Sequence, residues 1–188
     1  MIQANPSGRP TAAAARRHPY FWDQPRRAAF ICSVSHLLSQ SSTVAASARK
    51  RLNNAKGAAT VVRDGSWDIL LDAPVLAYMT SAQQIEGRGY DRNSVHDLLR
   101  LVAFTLGQLE PELQQVGGAG WRRCISSQAT ELIGQAGGTL QYFTSAARFP
   151  GLLMFTYWHV FNEAGDAKGR HAEMWAPLHA ELHGAKAG

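Results

Sequence analysis

The stretch Tyr90-Asp91-Arg92-Asn93-Ser94-Val95-His96-Asp97-Leu98-Leu99-Arg100 is the most informative part of this 188-residue chain. It opens as a polar loop, and Ser94 is a residue type that commonly caps the start of a helix. Apolar residues then recur at helical spacing, which predicts a buried stripe on an amphipathic helix. The stripe consists of Val95, Leu98, Leu99 and Val102. We expect His96, Asp97 and Arg100 to lie on the solvent side of this helix.

Helical signals also precede this stretch. Asp23 is a natural N-cap and Pro25 suits a first turn, so we predict a helix from Asp23 to Gln40. A basic helix around residues 49–51 follows, and Gly57 ends it. Further on, residues 67–79 are apolar but interrupted by Pro74, which predicts two short helical pieces.

Helical signals continue after the central stretch as well. We predict helices over residues 121–135, 152–161 and 171–183, the last broken or kinked at Pro177. Gly137-Gly138 separates the first two of these. The sequence therefore predicts one mostly helical domain.

Composition narrows the class of partner. Hydrophobic residues make up 45% of the chain, which is enough for a core, and the net charge of +5 gives a pI of about 9.6. Such a balance favours an anionic partner, most often RNA. The most apolar stretch, residues 149–161, is too short to span a bilayer, so we expect no membrane contact by this chain itself.

Four segments together resemble one family, the kinase-extension nuclease (KEN) domain of the inositol-requiring kinase/ribonuclease of the unfolded protein response and of ribonuclease L. The first resembles the end of a protein kinase C-lobe and its junction with the next domain, and the other three resemble motifs of that domain, in its order. They are Arg9-Pro10-Thr11-Ala12 with His18-Pro19-Tyr20-Phe21-Trp22; Val61-Val62 with Trp67; Tyr90 to Arg100; and Tyr142-Phe143-Thr144-Ser145 with Arg148-Phe149-Pro150-Gly151-Leu152-Leu153 and Tyr157.

The resemblance implies an all-α, KEN-like ribonuclease domain over residues 18–165. A remnant of the kinase C-lobe, residues 1–17, would precede it, and a C-terminal helix and tail, residues 166–188, would follow. The family cleaves single-stranded loops of RNA as a dimer, so it implies an RNA stem-loop partner and a homodimer when a kinase portion is present. It also implies a cytoplasmic location, with the parent family on the cytosolic side of the endoplasmic reticulum membrane. The chain lacks kinase motifs, so we expect no kinase activity.

The family's catalytic residues are mostly absent. Metal-free RNA cleavage needs an acid, a base and donors that hold the phosphate. Tyr90 matches the family's tyrosine, but Ala103 and Phe104 stand where it has Arg and Asn, and Gln108 stands where it has His. These replacements predict an impaired nuclease, and Tyr90 is the one candidate catalytic residue. Genuine divergence of residues 101–141 and an error in the exon boundaries of the gene both fit this pattern.

Other candidate residues have weaker support. Arg88 and Arg92, beside Tyr90, are candidates for binding RNA phosphate, although a solvated basic loop is the alternative. A non-catalytic dimerisation or scaffold module is the alternative function, with residues 20–22 as an exposed aromatic docking surface. The aromatic run at 155–158 suits base stacking, but its apolar helical setting favours core packing. We expect no cofactor and no metal, since His179-x-x-x-His183 lacks a third ligand.

Overall fold

Helices and 3₁₀ turns make up the regular structure of residues 18–62, 65–86, 89–109, 126–165 and 172–183, which the computed structural model describes. The 3₁₀ turns are Pro19–Phe21 and Trp67–Leu70. The helices are α1 (Gln24–Ser39), α2 (Thr43–Asn54), α3 (Ala58–Val61), α4 (Ala73–Glu86), α5 (Val95–Leu109), α6 (Ser127–Gln135), α7 (Thr139–Thr144), α8 (Leu152–Gly165) and α9 (Ala172–His183). These ranges contain no strand, which confirms the all-α prediction. The proposed kinase remnant, residues 1–17, lies outside them.

Local sequence signals set the first helix boundaries. The Asp23 carboxylate accepts a hydrogen bond from the Arg26 amide at 3.0 Å, and Pro25 lies in the first turn of α1, as predicted. Ser42 caps α2 in the same way, through the Ala45 amide at 3.1 Å. Because capping satisfies backbone donors that the helix leaves open, these residues fix where the helices begin.

Helix α5 is the central element of the fold. It packs most extensively against α1 and also contacts α2 and α7. Its predicted stripe is confirmed, because Val95, Leu98, Leu99 and Val102 are all fully buried. Residues 101 and 106 are fully buried too, so the buried surface of α5 is wider than one stripe.

The prediction that α5 has a polar solvent side is wrong. His96 and Arg100 are each only 7% exposed, and the Asp97 side chain is 13% exposed. The reason is that α1, α2 and α7 surround α5, so that no full face remains for water. The buried polar groups pair with one another, which offsets much of the cost of taking them out of water.

Two further boundaries differ from prediction. The two helical pieces predicted over residues 67–79 are confirmed by the 3₁₀ turn Trp67–Leu70 and α4, but the break between them precedes Pro74. Pro74 lies in the first turn of α4, where its missing amide hydrogen costs nothing. The helix predicted from residue 121 begins at Ser127, and residues 121–125 lie outside the described ranges. Helix α9 continues through Pro177 from Ala172 to His183, so the predicted break there is wrong, and a kink at Pro177 stays a prediction.

The three adjacent aromatic residues before α1 separate into two environments. Tyr20 is 75% exposed and Phe21 63% exposed, as predicted for a docking surface. Trp22 is only 3% exposed, so its place in that surface is wrong. Its ring packs edge-on against Phe30 of α1 at 5.3 Å and Tyr157 of α8 at 5.7 Å, because a 3₁₀ turn directs it into the core.

Candidate functional site

Tyr90, the candidate catalytic residue, is 7% exposed in the loop before α5. Its ring lies edge-on to Trp67, with ring centroids 6.2 Å apart. The Arg100 guanidinium carbon lies 4.7 Å from the ring centroid, within the range of a cation–π interaction. The tyrosine is therefore held on two sides by the start of α5 and the Trp67 turn.

Asp97 holds this loop against α5. Its carboxylate accepts hydrogen bonds from the Asp91 amide and from Arg100, each at 2.7 Å, and the His96 Nδ1 lies 3.3 Å from it. Burial alone would raise the pKa of Asp97, but the hydrogen bonds from His96, Asp91 and Arg100 outweigh burial and lower the pKa to about 2. The carboxylate is thus a fixed negative charge that positions Arg100 over Tyr90.

The fold disfavours the charged form of His96, the residue next to Asp97. Burial lowers its pKa from 6.5, although the neighbouring Asp97 acts to raise it. Its backbone amide donates to the Asn53 side chain of α2 at 3.1 Å. Its Nε2 is buried and has no hydrogen-bond partner among the described residues. The side chain is therefore a neutral imidazole near neutral pH.

Ser94 and Asn53 join α2 to the start of α5. The Ser94 Oγ caps α5 by accepting from the Asp97 amide at 3.1 Å, and it also accepts from the Asn53 Nδ2 at 2.9 Å. Ser94 is 4% exposed. The sequence indicated the cap but not Asn53, because the two residues are 41 positions apart.

Arg92 lies on the same loop as Tyr90, but its charge is paired. Its guanidinium lies 2.8 Å from the Asp68 carboxylate, and its side chain is 58% exposed. The Trp67 amide donates to the Arg92 carbonyl at 3.0 Å, so this loop and the Trp67 turn are hydrogen-bonded together. Arg88 lies outside the described residues.

The positions where the family has Arg and Asn carry no polar side chain here. Ala103 is half-buried on α5. The Phe104 ring stacks on Tyr78 of α4, with centroids 5.9 Å apart and an interplanar angle of 24°. Gln108 also lies on α5, and its side chain falls outside the described part of the molecule.

A second polar cluster was not predicted from the sequence. The Tyr142 hydroxyl donates to the Asp72 carboxylate at 2.7 Å, and Arg148 pairs with the same carboxylate while its guanidinium carbon lies 3.7 Å from the Tyr142 ring centroid. Burial raises the pKa of Tyr142 to about 12, and the hydrogen bond from Tyr142 is the main cause that lowers the pKa of Asp72. Tyr142 and Arg148 belong to the last of the four family-like segments. The sequence around Asp72 contains no motif that would have predicted its contact with them.

Within the described ranges, no three His, Cys, Asp or Glu side chains are placed to hold a metal ion. The side chains of His179 and His183, on α9, are not among those that the structure describes. Nor does any helix there combine the length and apolar character that a membrane crossing requires.

The sequence is similar to kinase/endoribonucleases from plants and animals. It is 30% identical over 161 residues to the serine/threonine-protein kinase/endoribonuclease IRE1a of Arabidopsis thaliana, and 28% identical over 158 residues to IRE1 of Oryza sativa subsp. japonica. It is 29% identical over 158 residues to IRE2 of Homo sapiens.

Each match covers 84% of this chain but only 14–16% of the relative, so the chain spans a small part of their length. No protein-family model matches the sequence. The matches extend over most of the all-helical fold described above, and the KEN-type motifs lie within that fold. The chain therefore belongs with the IRE1 kinase/endoribonucleases, as a KEN-type domain region.

Proposed function

We propose that the chain is a KEN-type endoribonuclease domain, involved in RNA processing in the unfolded protein response, whose own cleavage activity is impaired. The observation that carries this proposal is the stacking of Phe104 on Tyr78. A position that holds a polar amide in the family is here part of an aromatic contact between α4 and α5.

The chemistry of the replaced groups supports the impairment. The Ala103 methyl group cannot hold a phosphate, and the Phe104 ring cannot donate a conventional hydrogen bond. The Gln108 amide does not titrate and cannot act as acid or base near neutral pH. Each such loss commonly lowers a rate by about 100- to 10,000-fold. Tyr90 alone cannot replace groups that act as a unit.

RNA remains the partner we propose, as a stem-loop bound weakly near Tyr90. Arg92 is a candidate for a phosphate contact because its side chain is exposed, although it also pairs with Asp68. A homodimer is expected when a kinase portion is attached, and a cytosolic location is expected by analogy with the family.

The test is cleavage of a fluorescent RNA stem-loop by the chain, dimerised through a fused tag. We expect no cleavage above background. The variant Ala103→Arg/Phe104→Asn/Gln108→His, which restores the family's groups, should cleave, and adding Tyr90→Phe to it should abolish the gain. Circular dichroism melting checks that each variant is folded. Cleavage by the unmodified chain that Tyr90→Phe abolishes would contradict the proposal.

The second candidate function is a non-catalytic dimerisation or scaffold module. The exposure of Tyr20 and Phe21 favours it, since large aromatic side chains exposed together commonly mark a contact surface. It predicts a stable dimer of the untagged chain in sedimentation velocity, with no RNA present. A monomer over the full concentration range would contradict it.

A further inference from the structure

His96 is a buried titratable residue that RNA cleavage by the family's groups does not use. It lies in the first turn of α5 and is 7% exposed. Its Nδ1 lies 3.3 Å from the Asp97 carboxylate, whereas its Nε2 is buried without a hydrogen-bond partner among the described residues. The ring therefore fits its site as the neutral tautomer with the proton on Nδ1, since a second proton on Nε2 would find no described acceptor.

The charges around the ring also oppose a second proton. Those that act on it are Asp97 and Arg100 of α5 and Arg49 of α2, and Arg100 already pairs at 2.7 Å with the Asp97 oxygen that faces the ring. The first turn of a helix also carries the positive end of the helix dipole, which disfavours a cation. The other helices packed against α5 supply no negative charge, because α7 has no charged residue and the titratable residues of α1 are all basic, namely Arg26, Arg27 and His36.

Hydrogen bonds at the same turn hold two other parts of the protein. The His96 amide donates to the Asn53 Oδ1 of α2 at 3.1 Å, and the Asn53 Nδ2 donates to the Ser94 Oγ at 2.9 Å. The Asp97 carboxylate accepts from the Asp91 amide at 2.7 Å. The turn that contains His96 thus joins α5 both to α2 and to the loop before α5, and we call these contacts the α5 joint.

The α5 joint can open without unfolding of the rest of the protein. It consists of side-chain hydrogen bonds at the end of a helix, where the backbone amides have no partner within the helix. Such local opening costs less free energy than complete unfolding, because the apolar residues elsewhere stay packed. Opening brings the imidazole into water, where its pKa returns towards 6.5. Acid therefore favours the open form, since that form takes up the second proton more readily.

We propose that His96 is a proton-sensitive switch that keeps the α5 joint closed while its imidazole is neutral. A second proton, taken up at Nε2, drives the charged ring out of its buried site into water. The hydrogen bonds that Asn53 and Asp97 make across the joint then break, and the loop that carries Tyr90 is released from α5. The switch does not depend on cleavage by this chain, but it links the position of Tyr90 to pH.

The test is amide hydrogen exchange of the whole chain, followed by NMR from about pH 7.5 to about pH 5.5 and corrected for the intrinsic effect of pH. The amides to follow are those that the α5 joint protects, at Asp91, His96 and Asp97. We expect their protection to fall about 3- to 10-fold by about pH 5.5, because the opened imidazole, with a pKa near 6.5, is then mostly charged. Protection that is independent of pH would overturn the proposal.

Two variants identify the titrating group. His96→Gln should keep the protection of the three amides as pH falls, because the amide side chain takes up no proton. His36→Gln, at an exposed histidine of α1, is the matched control and should retain the fall in protection seen in the unmodified chain. A fall in protection that persists in His96→Gln would overturn the proposal.

Two measurements on the unmodified chain keep the test decisive if His96→Gln does not fold. Nitrogen-15 NMR of the imidazole should show the proton on Nδ1 at neutral pH, and a proton on Nε2 would contradict the switch. Low concentrations of urea should barely change exchange at the three amides, because local opening exposes little surface. Exchange with the full urea dependence of complete unfolding would show that the α5 joint does not open by itself, and would also overturn the proposal.

Discussion

His96 and Asp97 are neighbours on α5, yet the fold shifts their protonation in different ways. Burial lowers the pKa of His96 and keeps the ring neutral, while three hydrogen bonds keep Asp97 ionised down to a pKa of about 2. Asp97 can stay charged because its donors compensate for lost water, whereas the His96 Nε2 has no described hydrogen-bond partner. Protonation of His96 would therefore add a buried N–H at Nε2 that has no described acceptor.

This difference predicts how stability depends on pH. The unfolded chain binds a proton on His96 near pH 6.5, but the folded chain does so only at lower pH. Because the unfolded chain takes up this proton first, the free energy of unfolding decreases as pH falls below about 6.5, and His96 does not reduce it above that pH. Asp97 affects stability only lower, as pH falls from 3.8 towards 2. Between pH 6.5 and 4, His96→Gln should flatten the pH dependence of the unfolding free energy.

Urea denaturation at a series of pH values measures that slope. His36→Gln is the matched control, because His36 is exposed on α1. An identical slope in the unmodified chain and in His96→Gln would show that His96 is not the titrating group.

At the scale of elements, two serine caps of equal geometry have different surroundings. Ser94 and Ser126 each accept a hydrogen bond from the third residue of their helix at 3.1 Å. Ser126 is exposed, whereas Ser94 is buried and also bonds to Asn53 of α2. The Ser126 cap starts one helix, whereas the Ser94 cap starts α5 and also joins it to α2.

Alanine substitution should separate these two roles. Ser126→Ala should lower the free energy of unfolding by about 1 kcal/mol, the usual worth of a cap. Ser94→Ala should lower it by about 2–3 kcal/mol, because the Asn53 side chain then loses a buried partner. Guanidinium denaturation of both variants gives the comparison, and equal losses would contradict a joining role for Ser94.

At the scale of the whole molecule, contacts between distant segments connect the helices. Tyr142 on α7 and Asp72 before α4 are 70 positions apart, and Arg148 reaches the same carboxylate from the loop before α8. One helix and two loops thus meet at the Asp72 side chain. Asp72 directly precedes α4, the helix that carries Tyr78.

Tyr142→Phe tests that contact. Removal of the hydroxyl deletes its bonds to Asp72 and should lower the free energy of unfolding by about 1–3 kcal/mol. The pKa of Asp72 should rise, since the Tyr142 hydrogen bond is the main cause that lowers it. Calorimetry and an NMR titration of Asp72 measure the two effects. Tyr20→Phe, at an exposed tyrosine, should change neither, and an unchanged Asp72 pKa in Tyr142→Phe would refute the contact.

Much of the fold could be predicted from local sequence patterns. The caps at Asp23 and Ser94, the buried stripe of α5 and the all-helical class could be predicted, because caps and helical periodicity depend on residues within one or two turns. The family resemblance followed from short motifs in a fixed order. Of the proposed site, the sequence alone supplied Tyr90 as a candidate and the replaced groups Ala103 and Phe104.

Burial was decided only by the tertiary structure. The local sequence around Trp22, His96 and Arg100 does not predict their burial. Each is buried because helices distant in sequence cover it. The partners Asn53 and Asp72 and the stacking of Phe104 on Tyr78 likewise arise from packing between distant segments. The physical reason is that periodicity tells which side of a helix is apolar, but only the arrangement of neighbouring helices determines how much of its surface water can reach.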